Sequence, residues 1–277
     1  MGGSLALALK GKTRRITGVD RHAATRQQAL ADGVVDFATE SLAVGVAEAD
    51  LIVLATPVRA ILQTLRDLPA LRPDGCLILD LGSTKHAINE AMAELPGSFA
   101  ALGGHPMCGK ETAGYQAADP ALFQGKTFIL TRNKRTTSAI EAPTLAIIDL
   151  LGAKPLFLSA QHHDHLAATV SHLPYILSAS LMHYASGKKD EYLWPTSASG
   201  FRDVSRLAGS DPQMLLDILL TNRAAVLDQL QAYQQELIAV TRLLAEANEE
   251  SLAAWLSAAQ RQHIGYRQAK TDLEDES

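Results

Sequence analysis

The segment GGHPMCG (103–109) holds the residue type best suited to moving a proton near neutral pH. His105 follows the apolar run FAALGG, and imidazole, with its pKa of about 6.5, can take a hydroxyl proton as a general base. A histidine at such a sharp turn also serves as a turn cap, and its residue type alone leaves both readings open. Ser83 follows the run CLILDLG (76–82) and is placed to cap a helix over 84–93. Lys85 lies two residues on and is read as a solvated lysine. Arg202, in SGFRD (199–203), carries a guanidinium fork that matches a carboxylate bidentately and stays charged. Its alternative is an ion pair with Asp203 or Asp211, and Arg206 is a weaker candidate for the same task. The run His162, His163, Asp164, His165 suggests a metal, but neighbours on a helix do not share a face and no second cluster completes a site. No metal is therefore expected. Cys108 reads as a small buried hydrophobe rather than a nucleophile.

These residues need elements to hold them. Short apolar runs at 16–20, 49–57, 76–83, 99–106, 126–131 and 154–159 alternate with stretches of helical length. That rhythm predicts a parallel sheet with helices on both faces, in which ligands bind beyond the carboxyl ends of the strands. Asp20, Thr56, Ser83 and His105 lie at those ends. After about residue 158 the strand pattern stops. HDHLAATVSHLPYILSASLMHYA (163–185) is a helical pattern interrupted at Pro174. Beyond Asp211-Pro212, an N-cap and first-turn proline, apolar residues from Leu215 to Leu244 repeat at helical spacing. They predict a helix of more than 30 residues, long enough to call for a second chain. The acidic tail TDLEDES is expected to fray. The expected domains are 1–158, a Rossmann-like α/β dinucleotide-binding domain, and 159–277, an all-α substrate and dimerisation domain.

The first residues, MGGSLALALKGK, read as the back half of a strand, G-x-G-x-x-G, helix motif. The first strand is then expected to be missing. Gly2, Gly3 and Ser4 would form the helix start that receives a pyrophosphate. Asp20, 18 residues after Gly2, would meet the ribose hydroxyls and favours NAD, while Arg21 leaves NADP open. Thr56 and Pro57 would line the same groove. A flexible start is the other reading of these residues.

With 277 residues, 47% of them hydrophobic, 20% charged and a net charge of −5, the chain reads as an ordinary globular protein. No basic stripe suggests nucleic acid and no apolar run suits a membrane span. Two cysteines and no signal peptide point to the cytoplasm.

GGHPMCGKETAG (103–114), LGSTKHAI (81–88), HDHLAATVSHLP (163–174) and SGFRDVSRLAGSDPQM (199–214), in this order, resemble the prephenate and arogenate dehydrogenases of tyrosine biosynthesis. The resemblance covers nearly the whole chain. It implies oxidation of a cyclohexadienol by NAD or NADP with loss of the ring carboxylate as CO2, and a homodimer formed through the C-terminal helices. It implies His105 as the base, with Ser83 beside it, touching the substrate hydroxyl or the nicotinamide. Arg202 would clamp a substrate carboxylate, and Ser171 and His172 of SHLP would line the substrate site. Many relatives read S-H-L-P-H where this chain has Tyr175, which leaves the choice between prephenate and arogenate open.

Two further readings compete. A β-hydroxyacid or ketopantoate type of reductase would need a catalytic lysine in the helical half, where only Lys188 and Lys189 precede the tail, in a solvated turn. A truncated chain with impaired cofactor binding would persist as a helical dimer.

Overall fold

The computed structural model describes residues 1–109 and 114–275, so positions 110–113 of the GGHPMCGKETAG motif and the last two residues of the acidic tail lie outside it. One compact unit spans Met1–Arg223 and a second Ala224–Ser277.

The first unit runs α1 (Gly2–Leu9), β1 (Thr17–Val19), α2 (Ala23–Ala31), β2 (Phe37–Thr39), α3 (Leu42–Val46), β3 (Leu51–Leu54), α4 (Val58–Leu71), β4 (Leu77–Asp80), α5 (His86–Ala93), β5 (Ala100–Pro106), β6 (Thr127–Thr131), α6 (Ser138–Leu150) and β7 (Lys154–Leu158). Helices follow: α7 (Ala160–Ala167), α8 (Leu173–Ser186), α9 (Leu193–Thr196), α10 (Ser199–Ser205) and α11 (Pro212–Thr221). α12 (Arg223–Ala245) begins at the end of this unit, and α13 (Glu249–Asp275) belongs wholly to the second.

Strands β3-β4-β5-β6-β7 form one sheet in that order, and β1 pairs with β2 in another. Alternate residues of a strand face opposite ways, so each buried strand must be apolar on both sides. Ile52, Leu54, Ile78 and Ala101 pack with Val58, Ile61 and Leu65 of α4 and Ile88 and Met92 of α5. Leu79, Leu102, Phe128 and Leu130 join a second core with Leu5 and Leu9 of α1 and Ile140 and Ile148 of α6. The larger sheet is thus the middle of three layers.

Four expectations change. The sheet is not wholly parallel, because β6 runs antiparallel to β5, with Gly104 opposite Leu130 and His105 opposite Ile129. The β5–β6 connection carries only a 3-10 turn among its described residues, not a crossover helix, so the chain returns in the opposite direction. β2 is a strand that the apolar runs did not announce. The helix predicted from Asp211 onward is two helices, parted at Asn222, whose side chain is buried and spent on other partners. Helix α5 begins at His86, with no side-chain cap from Ser83. The interruption at Pro174 is a π-helical turn, Ala168–His172, leading into α8 with Pro174 in its first turn. Proline offers no N–H to the preceding carbonyls, and a wider turn absorbs that loss.

Candidate active site

The site opens where β4 and β5 part. Their backbone ladder ends at Leu79 and Leu102. Two residues further along β5, Gly104 makes no ladder bond to β4, and on that side its backbone is held by side chains instead. Its N–H donates to Asp80 Oδ2 at 3.2 Å, and its carbonyl accepts from Lys85 Nζ at 2.7 Å. Lys85 also pairs with Asp80, and both side chains are fully buried. Asp80 takes a further bond from the Gly82 N–H at 2.7 Å. Lys85 is therefore not the solvated residue its type suggested: its ion pair stands in for a strand ladder. Burial drives its ammonium below the ordinary lysine range, opposed by the Asp80 carboxylate. A side chain at Gly104 is impossible, since a Cβ there would lie 2.6 Å from the Asp80 carbonyl.

That bracket fixes the residue before His105. His105 Nδ1 lies 2.8 Å from His163 Nε2, with the rings edge to face at 5.0 Å. His163 Nδ1 lies 2.7 Å from Asp164 Oδ1. Asp164 also accepts the backbone N–H of Lys85 at 2.7 Å and of His86 at 2.9 Å, which caps α5. Burial alone would raise the Asp164 carboxyl. Bonds from the His163 ring and from the His86 and Lys85 amides outweigh that and hold it below its ordinary value, ionised. Burial, then the nearby His163, Lys85 and His172, push His105 well below the usual histidine pKa, so it is neutral and basic at pH 7.

His172 is buried, with Nδ1 3.2 Å from the Asn222 amide nitrogen, which also donates to the Asp164 carbonyl at 2.7 Å. Burial lowers its pKa to about 4, against a raising effect of Asp164. Being neutral, and accepting at Nδ1, His172 keeps its Nε2–H as a donor.

The residues expected to meet a nucleotide lie at the other strand ends. The N-terminus of α1 has no side-chain cap, which leaves first-turn N–H groups for an anion. It approaches its neighbours closely: a Cβ on Gly2 would lie 3.2 Å from that of Ala55, just past β3, and one on Gly3 3.1 Å from the Tyr115 ring. The residues present fit a dinucleotide phosphate at this point.

Models of known families match both halves of the chain. Residues 4–154 match the prephenate dehydrogenase nucleotide-binding domain and residues 159–258 the prephenate dehydrogenase dimerization domain. The chain belongs to the prephenate dehydrogenase family. It is similar to the prephenate dehydrogenase of Bacillus subtilis, with 34% identity over 94% of this chain and 71% of that one. Among solved structures it is similar to prephenate dehydrogenase from A. aeolicus in complex with hydroxyphenyl propionate and NAD+ (TM-score 0.89, 27% identity, 96% of this chain and 94% of that one). It is also similar to Synechocystis arogenate dehydrogenase (TM-score 0.80, 31% identity, 96% of each chain). The fold is therefore that of a family of NAD-binding oxidoreductases.

Within this family member the residues singled out from sequence fall into three groups. His105 and His172 lie in or beside the buried network just described. Ser83 is half-buried after β4, and among the described residues its hydroxyl has no hydrogen-bond partner. Ser171 is half-buried in the π-helical turn. Gly2, Gly3 and Ser4 start α1, Asp20 follows β1, and Thr56 and Pro57 follow β3; the Ser4 hydroxyl is buried and accepts the Asp119 N–H at 3.1 Å. One Asp20 oxygen is taken by the His22 N–H at 2.7 Å, leaving the other for a ligand. Arg202 stands apart: it is 75% exposed on α10 and pairs with Asp203 at 3.0 Å. Cys108 stays a thiol, since burial pushes it up to about 11.

Sequence reasoning missed Asp80, Lys85, His163 and Asp164. A signal existed for two of them. Asp80 ends a fully apolar strand, and a lysine follows five residues later. The run 162–165 drew attention to His163 and Asp164 only as metal ligands, and the rule that helix neighbours face apart hid their contact.

Proposed function

We propose that the chain oxidises prephenate to 4-hydroxyphenylpyruvate with NAD, releasing CO2, in tyrosine biosynthesis. The observation that carries this is His105, neutral and fixed at the end of β5 by a buried network, in a chain of this family. Gly2, Gly3 and Ser4 would hold the pyrophosphate, Asp20 the ribose, and Thr56 and Pro57 the groove between them. Bound there, NAD supplies the hydride acceptor. His105 takes the proton of the ring hydroxyl, which lets the C–O bond become a carbonyl, and Ser83 holds the same oxygen. Breaking the bond to the ring carboxylate then makes the ring aromatic. Ser171 and His172 meet the substrate from the helical side, His172 as a neutral donor. We place the domain boundary between β7 and α7, at 158/159, and read the protein as a cytoplasmic homodimer with two free thiols, Cys76 and Cys108.

Arg202 we assign to a substrate carboxylate, which would have to displace Asp203. Arg202→Ala should then raise KM by roughly 10–150-fold, with kcat much less affected. An unchanged KM assigns Arg202 to its ion pair alone.

A second reading, arogenate as substrate, is kept open by Tyr175 in place of the second histidine of SHLPH, and the similarity to the Synechocystis enzyme supports it. Steady-state kinetics with prephenate and arogenate, each with NAD+ and NADP+, test both. Prephenate with NAD+ should be the fastest pair. Turnover of arogenate alone moves the assignment to the second reading, and no reduction with any pair overturns both.

A further inference from the structure

We infer that His163 and Asp164 are positioning residues that lock His105 in the tautomer with a proton on Nδ1 and a lone pair on Nε2, and that they hold the charge His105 acquires in mid-reaction. The inference rests on His105 being the base.

The hydrogen bonds run in one direction. The Asp164 carboxylate is an acceptor only, and its place is set by the Lys85 and His86 backbone amides. The ring nitrogen facing it, His163 Nδ1, must therefore donate. A neutral imidazole that donates at Nδ1 has a lone pair at Nε2. That lone pair faces His105 Nδ1 at 2.8 Å, so His105 donates in turn. The nitrogen left as a base is His105 Nε2. One anchored carboxylate thus sets two tautomers in series, much as the partner of any functional histidine selects its tautomer.

The reaction's balance says why such a chain should end in the protein interior. A dicarboxylate loses one carboxylate as neutral CO2 while its ring carbon gives up a hydride. The phenol formed keeps its hydroxyl proton, so no proton is released overall. The proton that leaves the ring hydroxyl for His105 Nε2 must return to the phenolate oxygen. His105 is then an imidazolium only briefly. It needs a stabilising acceptor, not an exit to water. His163 backed by Asp164 supplies one. The Lys85 ammonium after β4, which faces the same ring, works against the imidazolium and favours return of the proton. A merely structural role, with Asp164 as a helix cap and His163 as filler, would demand no particular tautomer.

Nitrogen-resolved NMR of the histidine rings of the free enzyme tests this, with His105 assigned through His105→Asn. The expected result is a protonated Nδ1 and an unprotonated Nε2 on His105. A proton on Nε2 of His105 at pH 7 overturns the inference. This readout uses neither substrate nor cofactor, so failure to oxidise prephenate would sink the proposed function and leave the tautomer result standing. Two variants add kinetics. His163→Gln keeps an acceptor near the Nε2 position and should stay within about 10-fold of wild-type kcat. His163→Phe has none and should lose roughly 10²-fold or more, the order expected when a catalytic histidine takes the wrong tautomer, with NAD+ affinity unchanged. Equal kcat in both, within a few-fold of wild type, overturns the inference. If His163→Phe does not fold, the NMR result on the wild-type enzyme decides alone.

Discussion

A histidine serves as a base only when it is neutral and aimed, and His105 meets the two demands by separate means. Burial, then the nearby His163, Lys85 and His172, keep it neutral, while the Asp80–Lys85 pair fixes the backbone on which it stands. The base must be unprotonated, so kcat/KM should fall as pH drops through the folded pKa. That pKa is lowered, so the acid limb should lie below the ordinary histidine value of about 6.5. An acid limb above 7 would contradict this. His105→Asn should cost roughly 10²–10⁴-fold in kcat while leaving NAD+ binding in place, and a loss of only a few-fold would remove the residue from the base role. Lys85 carries a different cost. Lys85→Met would strand a buried Asp80 carboxylate, for a loss of about 3–5 kcal/mol. Adding Asp80→Asn should recover part of it, and urea unfolding of the single and double variants reads the difference. If Lys85→Met unfolds like the wild type, the pair contributes no stability. The residue type of His105 was legible in the sequence because its apolar strand announced a strand end. Lys85 was not, because nothing local shows that β5 and α7 close over it.

Among the elements, the π-helical turn Ala168–His172 couples the fold to acidity. It places His172 in the interior beside Asn222, the residue that also ends α11. In the unfolded chain His172 titrates near about 6.5, and in the fold at about 4. Between these values the unfolded chain binds the proton and the folded chain refuses it. The stability from His172 is thus complete above about 6.5 and is lost as pH falls towards about 4, with an order of about 3 kcal/mol at stake. His105 is shifted in the same direction and adds to the slope. Melting temperature measured from pH 7 to 4.5 should fall, and His172→Gln should flatten that fall; equal slopes would assign the acid sensitivity elsewhere. Six of the seven strands were legible because each is an apolar run closed by turn residues. β2, Phe37–Thr39, was not, because Asp36 and Glu40 bracket it and break the apolar run that Val34 and Val35 begin. The β6 direction was not legible because antiparallel pairing follows from the route of 107–126, not from the strand's own composition. The parting of α11 and α12 was hidden because Asn222 interrupts no apolar spacing; its cause is a tertiary bond to the Asp164 carbonyl.

At the scale of the whole molecule, only part of the apolar stripe read from the sequence faces outward: Leu237 and Leu244 are exposed, while Val226 is buried. In the unit Ala224–Ser277, Leu237, Ile238 and Leu244 of α12 and Trp255, Leu256 and Ile264 of α13 are all exposed. An isolated exposed leucine needs no explanation, but six large apolar residues on two helices do. Among the described residues no helix is long and apolar enough to cross a membrane. The matched dimerization domain, residues 159–258, includes all of α12 and the first part of α13. A second copy of the chain is therefore the expected cover, since a twofold contact lets the same surface serve both partners. A net charge of −5 is small enough not to oppose it. Light scattering at micromolar concentration should give twice the chain mass. Ile238→Glu with Leu244→Glu should shift that mass towards the monomer, because two carboxylates would have to be buried without partners. A wild-type chain that stays monomeric across that range would leave the exposed stripe without its second copy, and the homodimer assignment would fall with it.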